Sequence, residues 1–341
     1  MSKELFLINK MEEIIQEIYS EIRESDEGIP INKVMPLLLF RKLIEKIDAI
    51  NILYKNKSGS PALSLARGVI ENYWYFMFMV EEDSDFRALS YYYHDKRDAA
   101  TKSLKELDYQ IGESLKYKKL RKAEINDYQN QIDFFIHQQN KNISRKVVAI
   151  KILEQMQKKM VTPYDKLIED YEERIRGTEV EIEKRKAMVL NLRKNIKEAY
   201  NKKTEYQEVI KRLNQDPRFK DVRDEIKAAR IKYASSNVVW YTLRTGLLSI
   251  RELSVNLNFE QEYRPYSSLS QEVHVSNATN QINVDEDGLV LSDLRDEKGS
   301  ELALANATSF LSYAIKPFLI FYNKERYYAE ISKQMNYYIN K

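Results

Sequence analysis

Between Trp240 and His274 the chain gathers an arginine, a glutamate, a tyrosine, a serine and one of its three histidines on otherwise apolar faces. Arg251 and Glu252 stand in Ser249-Ile250-Arg251-Glu252-Leu253, and Tyr266, Ser270 and His274 follow at steps of four. Steps of four and eight place Tyr266, Ser270 and His274 on one side of a helix, where a neutral imidazole can take or give a proton near neutral pH. A Ser-His nucleophile needs a carboxylate to orient the ring, and the pattern supplies none. The alternative is a helix-end histidine bonded to backbone or to Tyr266. A second set is Arg67 and Glu71, at i, i+4 spacing in a helix that is apolar almost all round. An unpaired charge in a core costs several kcal/mol, so Arg67 and Arg251 each call for a carboxylate, from Glu71 or Glu252, within a helix or across to another. The set is either an ion-pair network that fixes helix register or the polar centre of a cleft. His94 lies among Tyr91, Tyr92 and Tyr93, a neighbourhood typical of packing, and His137 has no evident partners.

Several chemistries have no motif here. The sequence contains no Gly-x-x-x-x-Gly-Lys-Ser/Thr loop, no Gly-x-Gly-x-x-Gly, no Gly-x-Ser-x-Gly and no His-Glu-x-x-His. With no cysteine and three scattered histidines, neither a metal nor a cofactor is expected. Cysteine absence also fits a reducing cytoplasm. The longest apolar run, Tyr73 to Val80, is too short for a bilayer, and the first residues lack a signal-peptide core, so a cytoplasmic protein with no membrane partner is expected.

The elements that position these residues are predicted to be helices. Eight glycines, seven prolines and 31% charged residues favour long solvated helices over sheets, so the expected fold class is all-α. Leu5 to Ile22 repeats at helical spacing, Pro36 is expected to open a second helix through Ile52, and Ala62 to Glu81 is a third, central one. After Thr162-Pro163, Ile168, Ile175, Ile182, Val189, Ile196 and Ile210 occupy one heptad position, with Tyr171, Leu192 and Leu213 on the other. A weaker version precedes it, and the two arms predict an antiparallel coiled-coil hairpin. Lys118, Arg121, Thr178, Arg185 and Lys203 interrupt the seam. A small irregular or β-hairpin segment is expected near 275–299, and the final helix is expected to bend at Pro317. The division is then 1–97 and 217–341 as halves of one helical bundle, split by a coiled-coil insertion at 98–216.

The net charge of +3 hides an asymmetry: the middle is basic and the flanks are acidic. Such a stripe can attract nucleic acid or an acidic partner, or be no more than solvated helix faces.

Ser64-Leu65-x-Arg67-x-x-x-Glu71, taken with Trp240-Tyr241, Ser249 to Leu253, Tyr263 and Tyr266 to His274, resembles a family of uncharacterised bacterial helical proteins whose domain of unknown function is related to the HEPN bundle superfamily. The resemblance covers roughly 62–97 and 238–277. It implies an interaction or effector component of a bacterial stress or phage-defence system, with a homo-oligomer or a protein partner engaged through the coiled coil. It also implies an alternative, since some such proteins are dimeric metal-independent RNases using an Arg and a His four to six residues apart. Here His274 would act with Arg67, Arg251 or Arg264. Arg264 precedes His274 by ten positions with Pro265 between, which departs from that pattern.

Overall fold

The structure is a computed structural model and describes residues 2–24, 30–155, 164–234, 238–273, 282–285, 288–291 and 295–339. These are almost entirely α-helical. The chain divides into two compact units, residues 1–96 with 213–341, and residues 97–212.

In the first unit, α1 (Lys3–Glu24) buries Leu7, Met11, Ile14, Ile15, Ile18 and Ile22, the stripe its spacing dictates. The next helix, α2 (Ile31–Lys55), starts earlier than Pro36 suggests. Proline in the second turn removes one backbone hydrogen bond, and the burial of Pro36, Leu37 and Phe40 offsets that loss. The centre is α3 (Gly59–Glu81), which packs on α2 and on α9 (Glu297–Phe321). Phe40, Phe76 and Phe318 tie these three helices together, with Phe40 and Phe318 stacked at 3.9 Å and Phe40 edge-on to Phe76 at 5.2 Å.

The helix α9 is long and apolar enough to cross a membrane, yet it buries Ala303, Ala307, Phe310, Leu311, Ala314 and Phe318 within the bundle. Pro317 lies inside it. The chain leaves the helix at Asn323, whose φ of +55° is left-handed, and the Lys324 N–H closes the helix end on the Leu319 carbonyl at 2.8 Å. The following α10 (Arg326–Ile339) contacts α1 and α9.

A second cluster joins the start of α4 (Ser84–Gln155) to α6 (Lys220–Tyr233), through Phe86, Tyr93, Phe219, Val222 and Ile226. Tyr93 donates to Asn214 Oδ1 at 2.8 Å. After a 3-10 turn at Trp240–Thr242 come two short helices, α7 (Ile250–Asn256) and α8 (Tyr263–Val273). Ile282–Asp285 and Gly288–Leu291 form β1 and β2, paired antiparallel with Ile282 opposite Leu291.

The second unit is the remainder of α4 and most of α5 (Tyr164–Gln215). Asp108 meets Lys203 at 2.5 Å, Glu124 meets Arg185 at 3.4 Å, Gln139 meets Glu172 at 3.2 Å and Lys146 meets Asp165, so the two helices run antiparallel. Ile111, Ile132, Ile182 and Val189 are buried between them. Three of the four cations that interrupt the apolar pattern are neutralised: Arg121 bonds Glu124 at 2.7 Å, Arg185 bonds Glu124 and Glu181, and Lys203 bonds Asp108, while Lys118 forms no ion pair among the described residues.

Candidate functional site

On α3, Arg67 and Glu71 are one helical turn apart and face the same way. Across from them α8 presents Tyr266, which is buried. The Tyr266 hydroxyl donates to Glu71 Oε1 at 2.6 Å and accepts from Arg67 Nη2 at 3.1 Å, while Arg67 and Glu71 are themselves 3.3 Å apart. The three side chains close a triangle in which one phenol bridges an ion pair. Trp74, the next residue on that face, lies 5.2 Å from the Tyr266 ring and 6.3 Å from the Tyr263 ring, so aromatic packing holds the hydroxyl in place.

The electrostatics follow from this burial. Loss of water pushes the Tyr266 phenol up to about 12, Glu71 reinforces the shift and Arg67 opposes it. Burial works against the charge of Arg67, but the bonds to Tyr266 and Glu71 outweigh it and raise its pKa. At neutral pH the phenol is therefore a proton donor held against a carboxylate, a poor acid and a poor base. Tyr75, half-buried beside Tyr241, is likewise shifted upward, by burial first and then by Tyr241 and Glu71.

On the other side of Glu71, Lys46 of α2 donates to the Gly68 carbonyl at 2.8 Å and to Asn72 Oδ1 at 3.2 Å. Burial lowers its pKa. A Cβ at Gly68 would stand 2.6 Å from Lys46 Nζ, so the glycine makes this approach geometrically open. Lys46, Asn72 and Tyr75 give little signal in the sequence: a lysine and an asparagine on apolar helices were the only hints.

Arg251 and Glu252 do not join the triangle. Ser249 caps α7, its Oγ accepting from the Glu252 N–H at 3.2 Å, and Glu252 Oε2 accepts from the Leu248 N–H at 2.7 Å. These reciprocal bonds make Glu252 an exposed capping residue. Arg251 is exposed and lies over the Tyr263 ring at 5.7 Å. With Glu260, Gln261, Tyr263 and Arg264 it lines an open hollow of about 750 Å³. Among the described residues neither Arg251 nor Arg264 forms an ion pair.

Pro265 sits in the first turn of α8, where a missing N–H costs nothing, so the helix runs unbroken to Val273. Ser270 lies in α8. His274 lies outside the described residues. His94 is half-buried in α4 beside Tyr93, and His137 is exposed on the same helix. Among the described residues no group of three His, Asp or Glu side chains is placed to hold a metal ion.

Residues 33–172 match a family of unknown function, DUF5677. The match includes Arg67 and Glu71 and stops short of Tyr266. No curated protein and no solved structure matches the chain.

Proposed function

We propose that this chain is an interaction or effector component of a bacterial stress or phage-defence system, cytosolic, with a HEPN-like bundle and a coiled-coil hairpin that engages a partner. The observation that carries the reading is the Arg67–Tyr266–Glu71 triangle, closed through Arg67 Nη2 while Arg67 Nε stays without a partner. Each charge is spent on the other and on one phenol, which is the arrangement of an interhelical lock between α3 and α8. A catalytic centre would need a group near its working pKa, whereas the phenol is driven far from neutrality. In support, α4 and α5 form a paired seam in which Arg121, Arg185 and Lys203 are matched by carboxylates, leaving long exposed faces for a partner. The HEPN-like relationship and the bacterial setting rest on the sequence resemblance.

The test is protection of a bacterial culture against a phage panel, comparing the chain, an empty vector and Ile111→Asp with Ile182→Asp, which breaks the seam. Protection by the native chain and its loss in the seam variant is the expected result. Equal plating with and without the chain, or protection that survives the broken seam, defeats the reading.

A second reading is favoured by one feature, Arg251 and Arg264 around one hollow beside Tyr263, neither of them in an ion pair among the described residues. It makes the chain a metal-independent RNase in which His274 is the acid and base and an arginine stabilises the phosphorane. Incubating a tRNA and mRNA pool with the native chain and with His274→Ala decides it, since equal cleavage by both, or none by either, removes the enzyme.

A further inference from the structure

A stripe of aliphatic side chains on α4 lies open beside the seam. Ile136, Ile143, Val147 and Ile150 follow at steps of seven, four and three, so they share one helix face about 21 Å long. They are between 36% and 47% exposed. A two-helix hairpin covers only its first and fourth heptad positions, and an additional apolar column beside them is the pattern of a helix that packs against one more helix.

The hairpin also fixes what borders the stripe. Gln139 lies three residues after Ile136 and four before Ile143, and Lys146 stands the same way between Ile143 and Ile150. Gln139 bonds Glu172 at 3.2 Å and Lys146 pairs with Asp165. Asp165, Glu172 and Glu179 are seven apart on α5, so this acidic column runs alongside the aliphatic stripe. From Asp165 to Glu183, α5 carries eight carboxylates against three cations. Glu169 and Glu179 are exposed and form no ion pair among the described residues.

We infer that this groove on the hairpin docks an amphipathic helix of a partner protein, with aliphatic residues at heptad spacing and lysines or arginines along one edge. The aliphatic residues cover Ile136, Ile143, Val147 and Ile150, and the basic edge meets Glu172 and Glu179. On the α5 side of the stripe charge acts against other occupants, although α4 itself carries Lys146 and Lys151 and no carboxylate between 134 and 153. A membrane of anionic lipid or a nucleic acid would meet the carboxylate column, and a second copy would set one acidic column against apolar side chains or against another acidic column. The inference rests on the reading of the hairpin as the partner-binding element and specifies the partner's chemistry.

The test uses the full chain and two labelled model helices of three heptads, identical in their leucines and carrying either lysine or glutamate along one edge. Fluorescence anisotropy at low salt should show the lysine helix binding at least about tenfold more tightly. Glu172→Lys with Glu179→Lys should invert that preference, and Ile143→Asp with Ile150→Asp should abolish binding of both. All four positions are exposed, and far-ultraviolet dichroism checks that helicity is kept. Equal binding of the two helices, or none, overturns the inference. So does a native dimer in sedimentation that Ile143→Asp dissolves, or co-sedimentation with phosphatidylserine vesicles that the same change removes. If the lysine helix binds as stated while Ile143→Asp with Ile150→Asp leaves phage protection intact, the groove stands and the proposed function falls. If no helix binds but the seam variant loses protection, only the groove falls.

Discussion

Tyr266 donates its hydroxyl proton to Glu71 across 2.6 Å, from α8 to α3, and so makes a phenol the link between two helices through residues 195 apart in sequence. Arg67 uses the same oxygen as an acceptor. Removing the hydroxyl leaves the 3.3 Å Arg67–Glu71 pair in place but takes one hydrogen-bond partner from each charge. Hydrogen bonds to charged groups contribute about 1.5–3 kcal/mol when shielded, and the pair is roughly a quarter open to solvent, which lowers the figure. Tyr266→Phe should therefore destabilise the chain by about 1–2 kcal/mol in urea unfolding. A change under about 0.5 kcal/mol would mean that the bridge contributes little.

The same phenol gives an alkaline signature. Its folded value of about 12 lies above the ordinary tyrosine value of 10.0, so the unfolded chain releases this proton first. The stabilisation is complete below pH 10 and is lost as pH climbs from 10 through 12. The stability gap between native chain and Tyr266→Phe should thus narrow over that window. Buried Tyr73 and half-buried Tyr75 shift the same way in both proteins, chiefly through burial, and only the minor part of the Tyr75 shift that Tyr266 contributes fails to cancel in the difference. Parallel stability curves from pH 9 to 11 would contradict the bridge as the cause.

The turn between α9 and α10 makes a separate prediction. Lys324 is buried and bonds Glu17 at 2.7 Å and Glu21 at 2.5 Å, fixing the α9 end to α1. The hydrogen bond from Lys324, followed by that from Tyr327, holds the Glu17 carboxyl below its usual range. A depressed carboxyl stabilises the fold above its unfolded value of 4.5, and that contribution fades as pH falls below it. Lys324→Met should cost about 1 kcal/mol at pH 7, the low end for a charge network because the glutamates are a third or more exposed. It should also flatten the acid limb of the stability profile between pH 5 and 3. An unchanged acid limb would assign Glu17 to Arg326 and Tyr327 instead.

The sequence was legible where one physical pattern dominates. Apolar spacing marks the buried faces of α1 and α3. It was less legible where backbone and packing compete. Pro36 and Pro317 lie within helices because each removes a single bond that buried neighbours outweigh, whereas the break between α9 and α10 depends on Asn323, whose left-handed turn has no strong sequence mark. At the site, i, i+4 spacing marked the Arg67–Glu71 pair. Nothing in the spacing of Tyr266 shows which side chain it would meet across the bundle, because that contact depends on how two helices dock. Ser249 and Glu252 have the Ser-x-x-Glu spacing of a capping box, a spacing equally compatible with a carboxylate turned toward a core arginine.

That last distinction is measurable by coupling. If Glu252 serves the α7 cap, it should couple to Ser249 and be independent of Arg67. Ser249→Ala removes the acceptor for the Glu252 N–H, and Glu252→Ala removes the acceptor for the Leu248 N–H; each should cost about 1 kcal/mol. The double variant should cost less than the two together, because a helix end frayed by one loss leaves less for the second to disrupt. Glu252→Ala combined with Arg67→Ala should instead be additive within about 0.5 kcal/mol. Coupling between Glu252 and Arg67 larger than that between Glu252 and Ser249 would return the carboxylate to the polar centre of the bundle and overturn its assignment to the cap.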